Sequence, residues 1–215
     1  MSATSATGGY LPPEPSPGVL DDETLEDVFQ ALIVSITGLP GQSVRPRWQP
    51  EQTNIPPFNE TWAAIGITDR AADTFAYVGH RPDDDGRDVV FRSEELTLLC
   101  SFYGPKANST ASRLRDGLSV AQNREALGLL GIAVVSAGDQ ITVPALINNR
   151  WHHAIDMAIF FRRGIVRNYQ VLNLLGLDMS IHSISSSTPP ITERWLLDQD
   201  GGRFVLADDA HGVRA

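Results

Sequence analysis

Apolar residues first recur with a helical period near the N-terminus. Leu25, Val28, Phe29, Leu32, Ile33 and Ile36 fall at i, i+3, i+4, i+7, i+8 and i+11, a single stripe that predicts an amphipathic helix. Asp21 or Asp22 stands where a cap is needed, and Glu23, Glu26 and Asp27 suit the positive end of its dipole. Gly38 and Pro40 stop it. The pattern then changes period. Val44–Trp48, Thr61–Thr68, Thr74–His80 and Val89–Tyr103 read as strands, the last of them long. In that strand Leu96, Leu98, Cys100 and Phe102 share one face, while Glu95, Thr97, Ser101 and Tyr103 share the other. Such alternation predicts an antiparallel sheet with one face on the core.

Between the last two runs, Arg81-Pro82-Asp83-Asp84-Asp85-Gly86-Arg87 has the composition of a hairpin tip. Gly104-Pro105 then opens a helix whose buried stripe is Ala107, Ala111, Leu114 and Leu118, with Arg113 and Arg115 outward. A second short helix is predicted over Ala121–Leu130, with Ser119 and Gln122 at capping-box spacing and Gly131 at its end. Ile132–Ala137 and Gln140–Val143 flank Gly138-Asp139, the pattern of a two-residue hairpin. Trp151–Phe161 is the second long strand, with Trp151, His153, Ile155, Met157, Ile159 and Phe161 on one side, which places Trp151 in the core. Glu193–Leu197 and Arg203–Ala207 suggest a small terminal hairpin.

These elements predict an α+β fold, a mixed or antiparallel sheet with two or three packed helices. The expected organisation is a proline-rich arm over 1–20, a domain over 21–175 and a C-terminal extension over 176–215. At 215 residues and 42% hydrophobic, the chain can form a core without disulfides or metal. Its one cysteine excludes an intrachain disulfide, and Cys100 among Leu98 and Phe102 reads as a buried, inert thiol. The first residues show neither a basic nor an apolar signal region, and no run approaches the length of a membrane helix.

Charge alters the picture more. The net charge is −9, the wrong sign for an electrostatic nucleic-acid binder. Residues 1–100 hold 16 acidic and 6 basic residues, net −10, whereas residues 101–215 hold 10 and 11, net +1. Opposed portions can pair head to tail between copies or within one chain. Of 17 basic residues only Lys106 is a lysine. Arginine forks suit bidentate pairing, and a genome rich in G and C gives the same bias.

Candidate chemistry is sparse. His152 and His153 are adjacent on a strand and diverge, so they make a poor metal pair. Asp83-Asp84-Asp85-Gly86 lacks the ligand spacing of a calcium loop. Gly-x-Ser-x-Gly, Walker A and dinucleotide-binding patterns are absent from the sequence. No catalytic residue, cofactor or metal is therefore assigned. A small metal-dependent hydrolase using these histidines or aspartates stands as the enzymatic alternative, and a regulatory protein binding through its tails as another.

The order of several segments resembles the neck or tail terminator family of tailed bacteriophages. The segments are Ile36-Thr37-Gly38-Leu39-Pro40-Gly41, Val44-Arg45-Pro46-Arg47-Trp48-Gln49-Pro50-Glu51 and Trp62-Ala63-Ala64-Ile65-Gly66-Ile67-Thr68. Ala72–Val78, Cys100–Pro105, Leu114–Leu118, Gln122–Leu127, Asn149-Arg150-Trp151 and Arg162-Arg163 through Asn173 follow in order. The resemblance covers about residues 25–175. It implies a tail-terminator-like fold and a structural virion protein of the neck, not an enzyme. Its implied state is a homo-oligomeric ring, typically hexameric, that caps the tail tube, docks to the head connector and lets DNA pass. A head-completion, connector or minor tail protein of other ring symmetry is the alternative in the same class. Assembly would take place in the bacterial host cytoplasm, with no membrane partner. The residues expected at a subunit contact are Arg45, Arg47, Glu95, Arg113, Arg162, Arg163 and Arg167. Arg45 and Arg47 beside Trp48 could equally make a local cluster that stabilises the fold.

Overall fold

The computed structural model describes residues 7–15, 19–49, 55–82, 86–147, 149–173, 195–197 and 203–205. The chain divides into two units, Met1–Asn173 and Leu174–Ala215. In the first, helix α1 (Asp22–Thr37) buries Leu25, Phe29 and Ile33 of the predicted stripe, with Val28, Leu32 and Ile36 partly buried, and it buries Thr37 as well. Gly38 ends it at φ 72°, its N–H donating to the Val34 carbonyl at 2.9 Å. The start differs from expectation. Asp21 occupies the cap position, but its carboxylate makes no cap and instead accepts from Arg163 and Arg167.

A short 3-10 turn (Gly41–Ser43) leads to β1 (Val44–Pro46), which runs parallel to β2 (Trp62–Ala72). Strands β3 (Tyr77–Arg81) and β4 (Arg87–Tyr103) form the predicted hairpin; its tip at residues 83–85 lies outside the described residues. Helix α2 (Ala107–Leu118) buries Ala107, Ala111, Leu114 and Leu118, as the pattern required. Helix α3 (Ala121–Gly128) is capped at Val120 without a side-chain bond, so the Ser119–Gln122 box does not form. Asn123 holds α3 to α2 instead, donating to the Gly117 carbonyl at 2.9 Å.

The predicted Gly138-Asp139 hairpin is overturned. Strands β5 (Ile132–Ala137) and β6 (Ile141–Thr142) do not pair with each other. Both pair antiparallel with the strand Ala154–Gln170, β5 at residues 159–163 and β6 at 155–156, so they run on along one edge. Gly138 N–H donates to the Ala158 carbonyl at 2.7 Å, and Gln140 donates to Ser112 of α2 at 3.2 Å. Those bonds keep the chain going straight where the Gly-Asp pair alone would turn it.

A small hairpin of β7 (Ala145–Ile147) and β8 (Arg150–His152) follows, with Asn149 at φ 58° in its turn. The second long strand, β9 (Ala154–Gln170), therefore begins after a break at His153 and runs nine residues beyond Phe161. Trp151 sits on β8 and is 67% exposed, so its predicted core position is wrong. In the second unit, β10 (Trp195–Leu197) pairs antiparallel with β11 (Arg203–Val205), in agreement with the predicted terminal hairpin.

Among the described residues the main sheet is mixed and seven-stranded, with the path β1-β2-β4-β9-β5. The fold is α+β. Leu96, Leu98, Cys100 and Phe102 of β4 and Ile155, Met157, Ile159 and Phe161 of β9 are buried with the helix stripes in one core. Phe29 of α1 meets Phe161 at a ring-centroid distance of 4.6 Å. The helices thus cover one face of the sheet. Beyond Glu94 and Arg163 the strands β3, β4 and β9 continue as a three-stranded tongue in which no strand residue is buried. Part of the N-terminal arm reaches it, Glu14 N–H donating to the Asn168 carbonyl at 2.8 Å.

Candidate functional site

Among the described residues the sheet's other face carries no helix, and register places its side chains in rows. Across β4 and β9 the open-face pairs are Phe91–Val166, Ser93–Gly164, Glu95–Arg162, Thr97–Phe160, Leu99–Ala158 and Ser101–Asp156. Directly opposed residues on one face are the contact unit of a sheet. At the tongue end Tyr77 adds to the first pair, giving a row of Tyr77, Phe91 and Val166, all exposed. Tyr77 leans over Gly79 and Phe91 over Gly164, because neither glycine has a Cβ to oppose the ring.

At the other end, Trp62 of β2 stacks on Tyr103 of β4 with centroids 4.3 Å apart and planes 16° off parallel. Trp48 lies over Gly66, where a Cβ would fall 2.6 Å from the indole. Between these rings runs a polar chain. Arg47 donates to Ser101 Oγ, and Ser101 Oγ donates to Asp156 Oδ1. Arg47 Nε is buried with no hydrogen-bond partner among the described residues. Ser101 is buried, so its hydroxyl serves as a bridge between the two charges, and the chain of bonds fixes Arg47 on the face.

Of the seven residues expected at a subunit contact, Glu95 and Arg162 form an ion pair in the middle of this open face, both more than half exposed. Arg47 joins the same face. The others serve the chain itself. Arg45 Nε donates to the Gln42 carbonyl at 3.0 Å. Arg113 is exposed yet donates to the Thr37 carbonyl at 2.8 Å, placing a cation at the negative end of α1. Arg167 reaches Asp21 at 3.3 Å.

Arg163 is on the helix-covered side and 5% exposed. It donates to Glu94 at 2.6 Å, to Asp21 at 3.0 Å and to the Leu20 carbonyl. Its expected place at a surface contact therefore gives way to a structural one. Two positively charged neighbours in the sequence, Arg162 and Arg163, were indistinguishable until strand parity separated them. Asp21 as a partner of Arg163 had no local signal, because it lies 142 residues away.

The other candidates stay apart. His152 is buried edge-on against Phe58, with centroids 5.1 Å apart, and His153 is exposed at the strand break. Asp83, Asp84 and Asp85 lie outside the described residues. Among the described residues no three His, Cys, Asp or Glu side chains could hold a metal together. Cys100 is fully buried, and that burial pushes its thiol up to about 12. No helix among the described residues is long and apolar enough to cross a membrane.

The sheet thus presents one open, ring-studded face and one helix-covered face. Residues 23–186 match the family described as phage neck terminator protein. The chain belongs to that family. The match takes in α1, the whole seven-stranded sheet and the first part of the C-terminal unit. No curated protein matches the sequence. As a neck terminator the chain is a structural protein of the phage neck, located in the virion tail and associating with other tail and head proteins. The family is structural and not catalytic.

Proposed function

We propose that this neck terminator assembles as a homo-oligomeric ring, hexameric as the family resemblance implies, that ends the tail tube and joins it to the head connector. Genomic DNA passes through the ring without sequence-specific binding. The observation that carries this reading is the family match across residues 23–186. The net charge of −9 supports it, because a sliding phosphate backbone adheres to fixed basic clusters and not to an acidic wall.

The ring contact in this reading is the open face of β4 and β9. Glu95 and Arg162 lie at its centre and exchange charge with a neighbour, while Phe160, Phe91 and Tyr77 supply apolar area. Arg47 belongs to the same contact, with Arg45 of β1 beside it; Arg113 and Arg167 lie on the helix-covered side, away from it. Aromatic and arginine side chains dominate the energy of protein contacts, and surface ion pairs set register more than affinity.

Mass photometry of the purified chain and reconstruction of the virion neck test the assignment. A closed ring at the head–tail junction is expected, and its symmetry separates a terminator from a head-completion protein. A strictly monomeric chain absent from the particle refutes the proposal. Arg162→Glu is expected to weaken ring formation at least tenfold while leaving the thermal melt nearly unchanged, since an exposed pair contributes only about 0–1 kcal/mol to the fold.

A further inference from the structure

His80 of β3 has both ring nitrogens occupied. Nδ1 stands 2.7 Å from Asp88 Oδ1, and Nε2 stands 2.9 Å from Asn173 Oδ1. The Asn173 amide is oriented from its far end, where Nδ2 donates to the Pro82 carbonyl at 3.0 Å. Turning that amide over would bring Oδ1 against the Pro82 oxygen, two acceptors face to face. The imidazole is therefore held between two oxygens that have no hydrogen to give. A neutral ring carries one N–H and can satisfy only one of them. The imidazolium satisfies both.

We propose that His80 is a proton-operated latch: charged, it adds its own bond between Asn173 and the β3–β4 hairpin, and neutral, it gives that bond up, so that the hold on Asn173 is weakened. The direction of release follows from acceptor strength. A carboxylate holds an N–H more tightly than an amide oxygen does, so the remaining hydrogen stays on Nδ1 toward Asp88. The Nε2 lone pair then faces Asn173 Oδ1, and that contact turns from attraction to repulsion. Asn173 is the last residue of the unit Met1–Asn173, so the latch acts at the C-terminal end of that unit.

Local geometry is built around this contact. Gly86 has φ 96°, and a Cβ there would lie 2.5 Å from both Asn173 Oδ1 and the Val171 carbonyl oxygen. Only glycine lets the hairpin approach the departing chain so closely. Among the described residues few charged and titratable groups surround His80; Asp83, Asp84 and Asp85 of the hairpin tip lie outside them. Asp88 of β4 touches it, Arg81 follows it on β3, and Arg87 precedes Asp88. On β9, Tyr169 lies opposite Asp88, and Arg167 is one row further along the same side.

The hydrogen bond to Asp88, that to Asn173 and the Asp88 charge together raise the His80 proton affinity above its ordinary value near 6.5, against a smaller effect of desolvation. A histidine raised in the folded state contributes stability that is complete below its unfolded value and disappears as pH climbs through the folded one. The latch is therefore shut in mildly acidic solution and opens above the ordinary histidine range. It stands whether or not the chain forms rings.

The test is an NMR titration of the full-length chain, following the His80 ring and the Asn173 side-chain amide from mildly acidic to mildly alkaline pH. His80 is expected to titrate above a free histidine, with the Asn173 amide shifting at the same midpoint. Hydrogen exchange at residues 171–173, corrected for intrinsic rates, is expected to accelerate through that midpoint. Asn173→Ala and Asp88→Asn should each move the His80 midpoint down, and Asn173→Asp should move it up. A His80 midpoint at the ordinary value, or an Asn173 amide indifferent to the titration, overturns the latch. Both readouts come from the unaltered chain, so the result holds even if a variant fails to fold.

Discussion

Arg163 and Arg162 show how one position along a strand changes what a side chain does. Arg163 points to the helix side and closes a buried network with Glu94, Asp21 and the Leu20 carbonyl. Removing one member of such a network leaves a charge without its partner, which costs about 3–5 kcal/mol. Arg163→Ala and Glu94→Ala are each expected to lower the urea midpoint of unfolding by that equivalent. The double variant should lose less than the two single losses added, since they share one interaction. Arg162→Ala, on the exposed side, is expected to leave the midpoint within about 1 kcal/mol of the starting protein. Equal losses at Arg162 and Arg163 would contradict the burial assignment.

At the scale of elements, α1 and α2 were legible because each carries an unbroken stripe at helical spacing, and β4 because its alternation runs without interruption. The breaks were not legible. Gly138-Asp139 has hairpin chemistry, yet β9 offers a continuous edge to both flanking runs, and that long-range pairing outweighs the local turn preference. Trp151 continues the alternation of the strand after it, but the break at His153 and the β7–β8 pairing turn it outward. The open sheet face was foreseen as the polar side of two long strands; its aromatic rows needed the register of β2, β3 and β9. Arg45 bonds locally to Gln42, but the partners of Arg47, Arg113, Arg162, Arg163 and Arg167 were hidden because each lies in a distant element, beyond any local pattern. Exposure makes a contrast measurable in one experiment. Trp151→Ser is expected to change stability by no more than about 0.5 kcal/mol, whereas Phe161→Ala in the core should cost about 3–5 kcal/mol. Comparable losses in urea denaturation would return Trp151 to the core.

For the whole molecule, β9 is the strand on which everything converges. It pairs with β4 along its full length, carries β5 and β6 on its other edge, and supplies Ile155, Met157, Ile159 and Phe161 to the core. A chain ending at His153 lacks all of this and is expected to show no cooperative thermal transition and no near-ultraviolet circular dichroism. A chain ending at Asn173 retains the core and is expected to unfold in a single transition. Cooperative folding of the shorter chain would show that β9 is dispensable. The network at Arg163 adds a temporal consequence. It joins strand β9 to Leu20 and Asp21 across 143 and 142 residues of chain. Contacts of such separation form late, because the intervening chain must first be brought together. Helix α1 therefore leaves the ribosome well before its anchor on β9 is made, so no subunit can present a finished surface to a neighbour until that strand has been synthesised.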